Sequence, residues 1–252
     1  MIYLAGSGHP GGSLSIVEIL SVLYFSGILK YRSDDPNWKE RDRFVLSKGH
    51  AAPALYAVLS KAGFFKREIL WTLRKLNSDL QGHPHNLSTP GVEVPTGSLG
   101  QGLSISHGIA LGLKIADIQS RVFTVVGDGE IEEGNIWECI MSAGHYKTGN
   151  LTAIVDYNHL QIDGSLDVVK SPEPIEKKFI AFNWETENVN GHDIKALHSI
   201  LSAKRNSNSK PLAVIAHTIK GKGISFMENQ VNWHGVAPGE EEYKKALEEL
   251  NA

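Results

Sequence analysis

Short runs of β-branched and other apolar residues alternate along the chain with stretches of helical spacing. Arg43 to Leu46, the runs that begin at Val122 and at Leu151, Thr186 to Val189 and Leu212 to Ala216 read as strands. Between them, Ser15-Ile16-Val17-Glu18 resembles a capping box opening a helix through Phe25. An Ala-rich helix runs to about Ala62, a small-residue helix covers Leu103 to Ala116, and Glu132 to Tyr146 has the length of one crossover helix. A helix over Asp193 to Ala203 and a charged helix at the C-terminus complete the set. Two stretches, Asn77 to Gly100 and Lys220 to Gly239, lack periodicity, and long irregular loops of this kind are usually functional. Strand–helix alternation predicts an α/β fold, a parallel sheet with helices on both faces. No linker interrupts it, so residues 1–252 are expected to form one domain.

Two of the strands end in polar tips. Val125-Val126-Gly127-Asp128-Gly129 and Ile154-Val155-Asp156-Tyr157-Asn158 bracket the crossover helix. Adjacent parallel strands would carry Asp128 and Asn158 to one carboxyl edge, where open α/β sheets bind ligands. Aspartate and asparagine oxygens suit a hard cation such as Mg²⁺, which borrows further oxygens from water and phosphate. Gly127 and Gly129 would let backbone approach a phosphate. The plainer alternative is that Asp128 and Asn158 only cap the elements that follow.

Composition narrows the classes. A hydrophobic content of 41% supports a core, and a net charge of −3 offers no basic field for nucleic acid or an anionic membrane. No apolar run reaches the roughly 20 residues of a membrane span. The lone Cys139 excludes an internal disulfide and fits a reducing compartment, so the expected location is cytoplasmic. Cys139 itself reads as a packed thiol.

Histidine placement changes the picture more. Five histidines directly follow glycine: His9, His50, His83, His145 and His192. Of these, His9, His50 and His83 lie in loops rich in Gly or Pro, and His234 lies in another, Trp233-His234-Gly235. Imidazoles presented from such loops can exchange protons with substrate hydroxyls near neutral pH. Any one of them alone would read as a surface residue.

Seven tracts together carry a resemblance. Ala5-Gly6-Ser7-Gly8-His9-Pro10-Gly11-Gly12, Leu46-Ser47-Lys48-Gly49-His50-Ala51, Gly82-His83-Pro84 and Thr96-Gly97-Ser98-Leu99-Gly100-Gln101-Gly102 come first. Gly127-Asp128-Gly129-Glu130, Ile219-Lys220-Gly221-Lys222-Gly223 and Trp233-His234-Gly235 follow, and the order resembles that of the N-terminal half of a transketolase. The resemblance implies a thiamine diphosphate-binding fold, here its diphosphate domain. It implies Asp128, Asn158 and the Leu160 carbonyl as ligands of Mg²⁺ or Ca²⁺, with Gly129 and His50 near the diphosphate. Gly97 and Leu99 would offer backbone contacts to the aminopyrimidine. Glu133 would couple to an activating glutamate of a neighbouring domain. His9, His83 and His234 would line the substrate channel and handle hydroxyl protons, with Lys48 and Lys220 as positive groups nearby. Tyr157-Asn158 departs from the paired asparagines of many relatives, but only the second is needed as a ligand.

The resemblance also implies what must come from elsewhere. The pyrimidine-type and C-terminal domains of a transketolase are not in this sequence, and with them the activating glutamate and the phosphate-gripping groups. The expected protein is the N-terminal subunit of a split transketolase acting on sugar phosphates, completed by a C-terminal subunit in an α₂β₂ assembly. Met1 stands eight residues before His9, which predicts a shortened N-terminus, and a fragment of a longer chain is the alternative origin. Two other functions stay open: the α subunit of a thiamine-dependent 2-oxo acid dehydrogenase, and a non-catalytic paralogue serving as a scaffold.

Overall fold

A computed structural model describes residues 1–203 and 208–251. The expected domain span includes 204–207 and 252, which lie outside the described residues. Five strands form one parallel sheet: β1 (Arg43–Leu46), β2 (Val122–Gly127), β3 (Leu151–Tyr157), β6 (Glu185–Asn190) and β7 (Leu212–His217). Two short strands, β4 (Leu160–Gln161) and β5 (Gly164–Ser165), make a separate antiparallel hairpin after β3. The sheet order is β1-β2-β3-β7-β6.

Period-two alternation sorts each central strand between two cores. Phe123, Val125, Ile154 and Val214 pack on one face with residues of the helices Val17–Phe25, Ala52–Lys61 and Ile194–Ser202. Val122, Val126, Ala153, Val155 and Ile215 pack on the other with Gln101–Ile115, Gly134–His145 and Ile175–Ala181. β3 is buried along its whole length, as a central strand covered on both faces should be. The edge strand β6 is mostly exposed, which explains why its polar run Glu185-Thr186-Glu187-Asn188 gives a weak sequence signal.

Most expected elements form within one or two residues of their expected bounds. Asn77 to Gly100 contains turns and no regular helix or strand. The capping box does not form. The expected helix forms over Val17–Phe25, with Ile16 at its cap position making no side-chain bond, and a further short helix, Pro10–Leu14, precedes it. The Ser15 hydroxyl instead donates to the buried Asp156 carboxylate at 2.7 Å, and Glu18 pairs with His192 at 3.1 Å. The Ser15 side chain is thereby turned toward the sheet and away from the helix N-terminus. No helix among the described residues is long and apolar enough to cross a membrane.

Candidate active site

Four parallel strands end at one place. After β1 the chain delivers Lys48 and His50, after β2 Asp128 and Gly129, after β3 Asn158 and Leu160, and after β7 Lys220. In-register pairing of Gly127 with Asp156 sets the tips of β2 and β3 side by side. The loop of 77–100 folds over this edge and adds His83, Gly97 and Leu99, while the first loop adds His9 and the last His234. All twelve line one cavity of about 240 Å³, together with Gly12, Gly127, Glu130, Gln161 and Ile162. Glu133 is the one expected site residue outside it: exposed, at the N-terminus of the Gly134–His145 helix.

The imidazoles cluster. The His9 ring centroid lies 5.3 Å from that of His50, 5.6 Å from His234 and 6.4 Å from His83. Burial holds His9 down at about 4, with the Arg74 charge as the next cause, and holds His234 at about 3, helped by Lys220. His50 lies well below its ordinary value through burial and then Lys48, and His83 is lowered by burial and Arg74. All four are therefore neutral at pH 7, able to donate at one nitrogen and accept at the other. Gly97 sits at φ +144°, and a side chain there would press on the His83 ring at 3.0 Å, so glycine lets the loop backbone lie against that imidazole.

Beneath the histidines lies a charged floor. Lys48, 2% exposed, is ion-paired with the fully buried Asp156 and also donates to the Gly12 carbonyl at 2.9 Å. Burial alone would raise the Asp156 carboxyl, but Lys48 overrides it and holds it below the ordinary range. Ser15, Thr218 and the Asn158 amide complete the ring of donors around Asp156. Lys220 donates to His234 Nδ1 at 2.8 Å and to the Leu160 carbonyl at 3.3 Å; burial and the nearby Lys48 lower it to about 8.

Asp128, Asn158 and Leu160 fit a hard divalent cation. Burial and the neighbouring Asp156 push the Asp128 carboxyl up to about 7, which marks a buried carboxylate short of positive charge. Its oxygens accept from the backbone of Gly129 at 2.9 Å and His159 at 2.6 Å, which fixes the group and leaves lone pairs for a ligand. The donor set is carboxylate, amide and carbonyl oxygen, the chemistry of Mg²⁺ or Ca²⁺. No cluster of three His, Cys, Asp or Glu that could hold a metal occurs among the described residues, and this set needs only one such residue.

Several functional-looking groups carry no motif signal of their own. Glu130, inside a recognised tract but without an expected role, is buried and accepts from the Ser47 hydroxyl at 2.5 Å, the Gly100 N–H at 2.8 Å and the Gly127 N–H at 3.0 Å. It thereby ties the tips of β1 and β2 to the Gly97–Leu99 loop. Asp156 was legible only as a charge within an otherwise apolar strand. Arg74, beside His9, had no signal. His192 is structural, as expected, accepting from the Ile219 N–H at 2.9 Å.

Comparison with known proteins gives the family. The family model described as transketolase, thiamine diphosphate binding domain, matches residues 1–251. The chain is 42% identical over 245 residues to the 6-deoxy-6-sulfo-D-fructose transketolase subunit SqwG of Clostridium sp. (strain MSTE9), covering 97% of this chain and 89% of that one. It is 41% identical over 251 residues to one of the subunits of the apulose-4-phosphate transketolase of Phocaeicola vulgatus, covering 100% of this chain and 89% of that one. Among solved structures, the transketolase of Campylobacter jejuni superposes with a TM-score of 0.90 at 34% identity. That likeness covers 99% of this chain but 41% of the solved one. By sequence along nearly its whole length and by fold, the chain belongs to the transketolase family, as its thiamine diphosphate-binding domain.

Proposed function

We propose that the chain is a single domain that forms the metal- and diphosphate-binding subunit of a two-chain transketolase. In this reading it moves a two-carbon ketol unit between anionic sugars, with sugar phosphates as the default substrates. The observation that carries it is the convergence of four neutral histidines on one cavity whose floor offers Asp128, Asn158 and Leu160 oxygens. The relatives' names support the division into subunits, and both name a sugar with a sulfo or phosphate group.

Thiamine diphosphate, when bound, supplies the nucleophilic carbon that opens and re-forms the bond beside a ketose carbonyl. The residues of this chain do the rest. Asp128, Asn158 and the Leu160 carbonyl hold Mg²⁺ or Ca²⁺, and Gly129 and His50 meet the diphosphate, with Lys220 adding positive charge. Gly97 and Leu99 present backbone to the aminopyrimidine. His9, His83 and His234 exchange protons with substrate hydroxyls, since bond cleavage and bond formation each move one proton. Lys48 lines the same cavity, with its charge committed to Asp156. Glu133 stands exposed outside the cavity lining, and in this reading it couples to an activating glutamate of the C-terminal subunit. An α₂β₂ assembly working in the cytoplasm completes the reading.

The test mixes this chain with its candidate C-terminal partner, thiamine diphosphate and Mg²⁺, and follows ketol transfer. Activity that neither chain shows alone supports the proposal. His83→Ala should then lower turnover by about a hundredfold, a general acid–base effect, and a change of less than twofold would remove His83 from that role. Reaction with 2-oxo acids instead of ketoses would favour a dehydrogenase subunit. Absence of both activities, with no interdependent binding of cofactor and metal, would leave a scaffold.

A further inference from the structure

Arg74 is not among the residues that line the cavity but reaches His9, which is. It follows the short 3₁₀ segment Arg67–Thr72, and its backbone is held at φ 59°, a left-handed conformation that an arginine adopts at a cost. The Arg74 N–H donates to the Leu80 carbonyl at 2.9 Å, which closes the turn that presents the side chain. Its guanidinium donates to the Ser7 hydroxyl at 2.9 Å through Nη1 and lies 3.5 Å from His9 Nδ1 through Nη2. The buried Nε has no hydrogen-bond partner. A side chain at Gly82 would collide with the guanidinium at 2.9 Å, so that glycine is what lets it lie there. A strained backbone and an unpaired buried donor are both costly. Together they indicate a group held for its position.

We infer that Arg74 is a positioning residue that fixes His9 as its neutral Nε2–H tautomer, so that His9 meets substrate as a hydrogen-bond donor. A guanidinium keeps its protons under all ordinary conditions. The His9 nitrogen that faces it must therefore be the bare one, and the ring proton goes to Nε2. The site contains a second pair built the same way: Lys220 donates to His234 Nδ1 at 2.8 Å. His83, whose ring nitrogens make no hydrogen bond among the described residues, is left able to take either tautomer. The three histidines would then divide the work, His9 and His234 donating to oxygen and His83 free to accept a proton first. The other groups facing His9 are His50, His83, His234 and Lys220, none of which supplies a negative charge to favour imidazolium.

The inference rests on the ketol-transfer reading only for what His9 does with its proton, and the tautomer can be read without substrate. Long-range ¹H–¹⁵N correlation spectra of the histidine rings in the full chain show which nitrogen is protonated. The native chain should show His9 with bare Nδ1 and protonated Nε2 throughout the neutral range. Arg74→Met should mix the two tautomers and raise the His9 protonation midpoint by about one pH unit, the size of a lost nearby like charge, while His234 keeps its own signals. Arg74→Lys should restore the low midpoint. A native His9 protonated at Nδ1 overturns the inference, and so does an Arg74→Met spectrum identical to the native one. Should Arg74→Met fail to fold, the native spectrum still decides it, since the tautomer it shows either matches the inference or overturns it.

Discussion

Lys48 and Asp156 illustrate how charge is kept inside this fold. Asp156 is fully buried and answered by Lys48, Ser15, Thr218 and Asn158, so removing the lysine strands a carboxylate. Lys48→Met should cost about 3–5 kcal/mol, the usual penalty for breaking a buried pair on one side, read as a shift in urea unfolding midpoint. The site's titrating groups pull stability in opposite directions with pH. His9 and His234 have folded values of about 4 and 3 against an ordinary 6.5, so the unfolded chain takes up their protons first. They destabilise the fold as pH falls below 6.5. Asp128 is raised from 3.8 to about 7, so the folded chain takes up its proton first and gains stability as pH falls through that range. Asp128→Asn removes only the second contribution. Its urea midpoint should therefore drop more steeply between pH 7 and 4 than that of the native chain without metal, and parallel slopes would contradict these assignments. At this scale much was legible: Asp128, Asn158 and the glycine-preceded histidines stand out in sequence. Arg74 did not, because its role depends on Ser7 and His9, which lie more than sixty residues away along the chain.

Elements are positioned here by close approach more than by propensity. In the helix Gly134–His145, a side chain at Gly144 would run into the Phe182 carbonyl oxygen. Backbone cannot yield as a flexible side chain can, so Gly144→Ala should destabilise by about 3 kcal/mol or more, the upper end for overpacking, as measured by thermal unfolding. Trp184 seals the same junction by donating to the Ile140 carbonyl at 2.8 Å. Central strands were readable because burial on both faces demands unbroken apolar runs. The capping box at Ser15 does not form for an equally physical reason: its hydroxyl donates to Asp156, 141 positions away in sequence, and that bond turns the side chain away from the helix N-terminus.

For the whole molecule, Glu133 is the expected site residue that lies outside the cavity. Glu133 is exposed and provides no side-chain cap to its helix, so the fold does not depend on its charge. Glu133→Gln should leave the unfolding midpoint of this chain unchanged and reduce turnover of the two-chain assembly by about tenfold or more, as loss of an acid–base partner does. A full-activity variant would dismiss its coupling across the interface. The sequence by itself determined the alternation of strand and helix, the burial of the central strands, and the residue types that reach their carboxyl ends. Those follow from local periodicity and from glycine, proline and histidine chemistry, which are written along the chain. Only the tertiary structure decided the pairing of Lys48 with Asp156, the ties that Glu130 makes between two strand tips and a loop, and the placing of Arg74 against His9. Each of those joins groups far apart in sequence, and a hydrogen bond is decided by the final few tenths of an ångström that packing alone supplies.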